Sequence, residues 1–298
     1  MKNYFIILFI FFINNIQSQT RSIVVLDSLT NHPIPFVTIQ FSKDNGTYTN
    51  EKGFFDLNQN SKDTLQLTHI AYNDFKIKAS DVKATIILSP NAILLKDVKI
   101  NNGKQITNFI DFAKKNNSIS SWPISSNTEL LTLIVPNIEN ANSNIIKLNF
   151  KFEKRKYNEI SSLKTALRIN IYDQKNEKII DKIYSGNVHI IDASKKDYID
   201  IDLNNENIEL SKNGLFIGIE VIGDINESGD IIKDKSYIRP VLTGNSISDY
   251  SAKTFIRYTF KNDSMGKKLI PINEILAKTS DKKFERNLSF GMTLSKKK

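Results

Sequence analysis

Cysteine is absent from the whole sequence. That excludes disulfides and thiolate metal sites, removes the acceptor for a bacterial lipoprotein anchor, and leaves the chain to be stabilised by core burial alone. Histidine is scarce: His32, His69 and His189 stand apart, none in an H-E-x-x-H pattern, so each reads as structural or surface rather than as a zinc ligand. A G-x-S-x-G elbow, a P-loop and a dinucleotide glycine pattern are also missing. Arginine occurs only at positions 21, 155, 168, 239, 257 and 286, and the rest of the positive charge behind a net +9 is scattered lysine. Nucleic-acid binders cluster Arg and Lys on one face with stacking aromatics. Here only Lys151 to Lys156 and Lys296 to Lys298 cluster, and these read as solvated strand faces and a soluble tail.

What is present is a globular balance, 40% hydrophobic and 24% charged over 298 residues, enough for two ordinary domains. The N-terminus reads as a signal peptide over residues 1–19: Lys2 is a positive n-region, Tyr4 to Ile13 is apolar, and polar residues with small Ser18 follow. The apolar run is shorter than a membrane-spanning helix requires, and no later stretch is apolar enough to span a bilayer. The expectation is an exported protein, periplasmic or associated with the outer membrane or cell surface, with no transmembrane segment in the mature chain.

From Ile23 onward, short β-branched and aromatic runs alternate with turn residues. Ile23 to Leu26 ends at Asp27, Pro33 and Pro35 hold the chain extended, and Phe36 to Phe41 resumes as a strand. Asp44-Asn45-Gly46 and Asn50-Glu51-Lys52-Gly53 mark turns, and strands follow at Phe54 to Leu57, Thr64 to Thr68, Phe75 to Ile77 and Thr85 to Leu88. Such spacing predicts a β-sandwich.

Several of these residues carry a family resemblance: Val25, Asp27, Thr30, Pro33, Ile34, Pro35, Val37 and Ile39, then Thr49 to Phe55, Ile70-Ala71-Tyr72 and Leu95 to Ile100. Together they resemble the carboxypeptidase regulatory-like domain over residues 20–100. The resemblance implies a seven-stranded, transthyretin-like β-sandwich in an exported bacterial protein, acting as a non-catalytic interaction or folding module with no active-site residues. In the transporters that carry this module a plug and a barrel follow; here fewer than 200 residues remain and they are too polar on both faces for a lipid-facing barrel. Turn geometry alone accounts for Asp27 and Gly53, and core filling for Phe54 or Phe55.

Residues 101–121 read as a linker with one short helix, because Ile106, Phe109, Ile110 and Ala113 share a helical face. Trp122 reads as a packing anchor opening a second domain over 122–298. There the period is two: Ile146, Leu148, Phe150 and Phe152 alternate with Lys147, Asn149 and Lys151, and Leu167, Ile169 and Ile171 with Arg168 and Asn170. Ile199, Ile201 and Leu203 alternate with Asp200 and Asp202, and Leu215 to Val221 is apolar enough for a central strand. One buried and one wet face predict an antiparallel, jelly-roll-like β-sandwich, so the fold class is all-β throughout. The segment Ile208 to Glu220 is similar to a strand motif of jelly-roll domains in exported bacterial proteins, which implies glycan binding as one possibility.

Three patterns invite chemistry. Asp224, Asn226, Ser228, Gly229 and Asp230 open like an EF-hand calcium loop, but position twelve is Lys235 where a bidentate Glu is needed. Asp197, Asp200 and Asp202 form an acidic strip that would serve a glycosidase only across a cleft; an exposed alternating strand explains it as well. Trp122, Tyr184, Tyr198, Tyr237 and Tyr258 are candidate stacking groups for a glycan. The expectation is therefore a non-enzymatic binding protein with a protein or glycan ligand at the cell envelope, or alternatively a carbohydrate-binding accessory protein. No catalytic, cofactor or metal residue is assigned, and no nucleic-acid partner.

Overall fold

The computed structural model describes residues 20–42, 45–58, 61–91, 105–111, 120–122, 124–154, 164–192, 198–232, 238–243, 250–261, 269–277 and 286–297. The signal-peptide reading of residues 1–19 therefore lies outside the described residues. The chain divides into two compact units, one reaching Asn91 and one beginning at Ala92, with residues 43–45 grouped with the second.

The first unit holds β1 (Thr20–Asp27), β2 (Thr38–Ser42), β3 (Asn45–Tyr48), β4 (Phe54–Asn58), β5 (Thr64–His69), β6 (Tyr72–Lys78) and β7 (Thr85–Leu88). These seven form a three-stranded sheet, β4-β1-β7, and a four-stranded sheet, β3-β2-β5-β6. The pairing of β1 with β7 is parallel, and β1 with β4, β2 with β5 and β5 with β6 are antiparallel. The period-two pattern sets the core: Ile23 and Val25 of β1, Phe55 and Leu57 of β4, Leu65 and Leu67 of β5, and Ile86 and Leu88 of β7 point into one cluster. Phe55 is the buried member of its pair, whereas Phe54 is 39% exposed. Asn45 and Gly46 of the expected Asp44-Asn45-Gly46 turn belong to β3, and Asp44 lies outside the described residues.

The second unit contains β8 (Gln105–Asp111), β9 (Ser120–Ser121), β10 (Thr128–Pro136), β11 (Ser143–Lys154), β12 (Lys164–Lys175), β13 (Lys178–Asp192), β14 (Tyr198–Asp202) and β15 (Ile208–Leu210). It continues through β16 (Leu215–Ile225), β17 (Ile231–Ile232), β18 (Ile238–Thr243), β19 (Tyr250–Tyr258), β20 (Ile270–Pro271), helix α1 (Ile272–Ala277), β21 (Asn287–Leu288) and β22 (Phe290–Lys297). One sheet runs β13-β12-β16-β10-β19-β20 with β17 beside β16. The other runs β21-β18-β11-β22-β8, with β14 and β15 on β11 and β9 on β18. The chain crosses from sheet to sheet at several connections, and both sheets feed one core in which Leu130, Leu167 and Ile219 meet Leu148, Phe150 and Met292. That is a sandwich.

Two expectations change. The helix drawn through Ile106, Phe109 and Ile110 is instead strand β8, whose residues 105–111 pair antiparallel with β22; Ala113 lies outside the described residues. Apolar residues at 106, 109 and 110 fit a helix face, but the free edge of β22 satisfies the backbone of this segment in an extended form. In β11 a register shift between Ile145 and Lys147 makes Ile145 the core residue and leaves Ile146 only half-buried.

Candidate functional site

The face of the β13-β12-β16-β10-β19 sheet that points away from the core is not the wet face that alternation predicts. Arg168, Asn170 and Tyr172 of β12, Glu220 of β16 and Glu129 of β10 are all buried. Register explains how they meet. Arg168 lies opposite Glu220, Glu220 opposite Glu129, and Glu129 opposite Arg257 of β19, so four adjacent strands carry a row of charges in the order plus, minus, minus, plus.

Two like charges side by side repel unless something bridges them. The Asn170 amide does: its Nδ2 donates to Glu129 Oε1 at 2.9 Å and to Glu220 Oε2 at 3.0 Å, and its Oδ1 accepts from Ser185 Oγ at 2.8 Å. Tyr172 donates its hydroxyl to Glu129 Oε1 at 2.8 Å. Arg257 donates Nε to Glu129 Oε2 at 2.8 Å and Nη2 to the Tyr172 hydroxyl at 2.6 Å, with its guanidinium 4.7 Å from the Tyr172 ring centre. Arg168 Nη1 stands 3.5 Å from Glu220 Oε2. Burial first, and then the Glu129 carboxylate, pushes the Tyr172 hydroxyl well above its ordinary pKa, so it stays a donor. Burial is the largest single influence and disfavours the Arg257 charge, yet Glu129, Tyr172 and Glu220 together outweigh it and the guanidinium is held more firmly protonated than usual.

Gly218 makes this possible. A Cβ there would lie 2.7 Å from Glu129 Oε1 and 2.7 Å from Leu131 Cδ2, so only a bare Cα lets the carboxylate lean across β16 toward Asn170 and Tyr172.

Next to the charges the same face becomes apolar, with Leu131, Leu133, Phe216 and Phe255 clustered around Tyr172. Asn176 and Glu177 form a two-residue hairpin turn between β12 and β13, both at positive φ (54° and 58°), and three register shifts bend this ladder. Ile179 beyond the turn packs on the apolar cluster, and Lys182 sits 5.6 Å from the Tyr172 ring centre. Between hairpin and sheet lies a cleft of about 780 Å³, lined by Asn176, Glu177, Lys178, Ile179, Ile180, Phe255, Arg257 and Leu269. That volume suits a small organic ligand. Glu177 closes one side through Lys253 at 2.8 Å.

The residues singled out from sequence lie elsewhere. Asp200 faces solvent and pairs with Lys147 at 3.3 Å, Asp202 caps Asn204, and Asp197 lies outside the described residues, so the described part of the strip lines no cleft. Asp224 is buried in β16 and accepts from Thr165 Oγ1 at 2.5 Å, while Asn226 Oδ1 is used by the amide of Asp230 to close a hairpin; Lys235 lies outside the described residues. Trp122 and Tyr184 pack against the central core, Tyr198 is exposed on the other sheet, Tyr258 lies under Lys261, and Tyr237 lies outside the described residues. The described rings therefore build no shared stacking platform. The signal for this buried charge row was Glu220: an acid inside the most apolar strand must find partners.

The first unit explains its own motif. Asp27 Oδ1 accepts the amides of Leu29 and Thr30 at 2.7 and 2.9 Å, and Oδ2 accepts the Tyr72 hydroxyl at 2.7 Å. The Tyr72 bond, followed by the Thr30 and Leu29 amides, holds the Asp27 carboxyl below its ordinary pKa, and burial with Asp27 pushes Tyr72 up to about 12. Gly53 has φ +77°, and a Cβ there would come within 2.8 Å of Pro33 Cβ. The Asp27, Pro33, Gly53 and Tyr72 positions thus each carry a structural constraint. Residues 24–100 match the CarboxypepD_reg-like domain family.

No curated protein matches the chain. Among solved structures, the cysteine protease and lectin-like domains of Cwp84, a surface layer associated protein of Clostridium difficile, align at 14% identity over 85% of this chain and 45% of that one, with a TM-score of 0.38. A clostridial cysteine protease Cwp84 variant, captured after propeptide cleavage, aligns at 15% identity over 92% of this chain and 61% of that one, TM-score 0.36. The chain thus spans less than two thirds of either. Within the CarboxypepD_reg-like domain these motif side chains have structural tasks, and the cleft belongs to the second unit.

Proposed function

We propose that this chain is an exported, non-enzymatic binding protein of the cell envelope. In this reading the CarboxypepD_reg-like domain is a folding or docking module, and the second unit captures its ligand in the cleft beneath the Asn176-Glu177 turn. One observation carries the proposal: the acids beside the cleft are already spent. Glu129 is 1% exposed, and its two oxygens accept from Asn170, Tyr172 and Arg257, so this carboxylate is committed to the sheet, while Glu177 of the lining is paired with Lys253. An apolar floor with an arginine at its edge is a recognition surface, since apolar area supplies affinity and a few polar groups orient the ligand.

Export is supported by the family of the first domain and by the leader-like composition of the N-terminus. No helix among the described residues is long and apolar enough to cross a membrane. The test is hydrogen exchange of the purified protein with and without envelope peptides, glycans and small metabolites. A true ligand slows exchange in residues 174–182 and 252–258. Protection confined to the first unit or to the other sheet counts against the cleft.

A further inference from the structure

The cleft is asymmetric in charge, and that asymmetry speaks to its ligand. Arg257 is fixed from behind: Nε and Nη2 are taken by Glu129 and Tyr172, and the side chain remains 23% exposed on the cleft wall. Nη1 has no partner among the described residues, so its two N–H donors remain available. A guanidinium held by a carboxylate on one edge presents the other in a fixed direction, which makes it an oriented anion receptor.

The rim adds to this. Lys178 lines the cleft, is exposed and makes no ion pair among the described residues, whereas the acid of the lining, Glu177, is matched by Lys253. The same lining includes Phe255, Ile179, Ile180 and Leu269. We infer that the cleft takes a small organic anion with an apolar body, its acidic group on Arg257 Nη1 and Lys178 and its body against Phe255 and Ile180. This rests on the binding role proposed above and specifies its ligand class.

A matched pair of probes tests it: anilinonaphthalene sulfonate, an apolar body with one anionic group, and neutral N-phenylnaphthylamine, the same rings without it. Fluorescence titration of the full chain is expected to show saturable one-to-one binding of the sulfonate, about tenfold tighter than the neutral probe, the advantage a charge-assisted contact gives. Lys178→Glu, at an exposed position, should weaken the sulfonate several-fold and leave the neutral probe unchanged. Ile180→Asp, at a residue 51% exposed, should weaken both without unfolding the protein. Equal affinity for the two probes, both weakened by Ile180→Asp, overturns the anion assignment and leaves the cleft a binding site. Binding of neither probe, or binding indifferent to Ile180→Asp, overturns both.

Discussion

Replacing Glu129 with Gln changes one oxygen for an NH2 group and keeps the volume, so it isolates the charge. In the wild type the carboxylate accepts from Asn170, Tyr172 and Nε of Arg257, whose Nη2 lies 2.6 Å from Oε2 as an ion pair. Glutamine retains one carbonyl oxygen, so at least one of these donors is orphaned and Arg257 loses its counter-charge. Removing one partner of a fully buried ion pair costs about 3–5 kcal/mol. Arg257 is 23% exposed, which lets water recover part of that, so the expected loss is about 2–3 kcal/mol. For a unit of this size each kcal/mol lowers Tm by about 2–4 °C, giving a drop of about 4–12 °C. The assay is urea unfolding followed by tryptophan fluorescence, because the single tryptophan, Trp122, packs against the second unit's core. The m value should hold constant while the midpoint falls. A loss below about 1 kcal/mol would show that water already solvates the charge row, and the reasoning would be wrong. Replacing Glu129 and Arg257 together by methionine should recover much of the loss, since a packed apolar pair avoids the desolvation cost of the ions.

Gly218→Ala should destabilise the second unit by about 1–3 kcal/mol through overpacking, and the effect should be non-additive with Glu129→Gln because both disturb one carboxylate; a double-mutant cycle in urea measures it. In the first unit, Asp27 has its folded pKa below the unfolded value. Its contribution is therefore complete above pH about 4 and lost as pH falls through the lower folded value. Hydrogen-exchange protection factors of residues 20–91, referred to the intrinsic rate at each pH, should fall across that acid window, and Asp27→Asn should flatten the response; an unchanged profile in the variant refutes the assignment. Tyr72, held at about 12, should ionise nearer its ordinary value of 10.0 in Asp27→Ala, as read from tyrosinate absorbance. Cysteines introduced as Phe109→Cys and Thr293→Cys, directly opposed across β8 and β22, should form a disulfide under mild oxidation in a chain that otherwise has no thiol. Failure to cross-link argues for a linker helix instead.

Most strands were legible because alternation is a local signal. Ile23 and Val25, or Ile199 and Ile201, reveal their buried side within a few residues. The bulge that exchanges Ile146 for Ile145 is not local, since it depends on how β22 pairs with β11. The apolar positions 106, 109 and 110 follow the helical period, and only the edge of β22, far along the chain, draws residues 105–111 into a strand. The charge row was invisible for the same reason on a larger scale. Glu129, Arg168, Glu220 and Arg257 are far apart in sequence, and their adjacency follows from a strand order, β12-β16-β10-β19, that no stretch of the chain encodes by itself. Alternation predicted that Arg168 and Asn170 would face water; the tertiary arrangement buries them.

The central claim, that the acids beside the cleft hold the sheet together and do no chemistry, is tested most directly by a turnover screen on peptide and glycoside substrates. Wild type, Glu129→Gln and Glu220→Gln would be compared below their melting temperatures, with Trp122 fluorescence confirming each fold. The account predicts no turnover by any of the three. Reproducible turnover by the wild type that disappears in a folded Glu129→Gln or Glu220→Gln protein would contradict it.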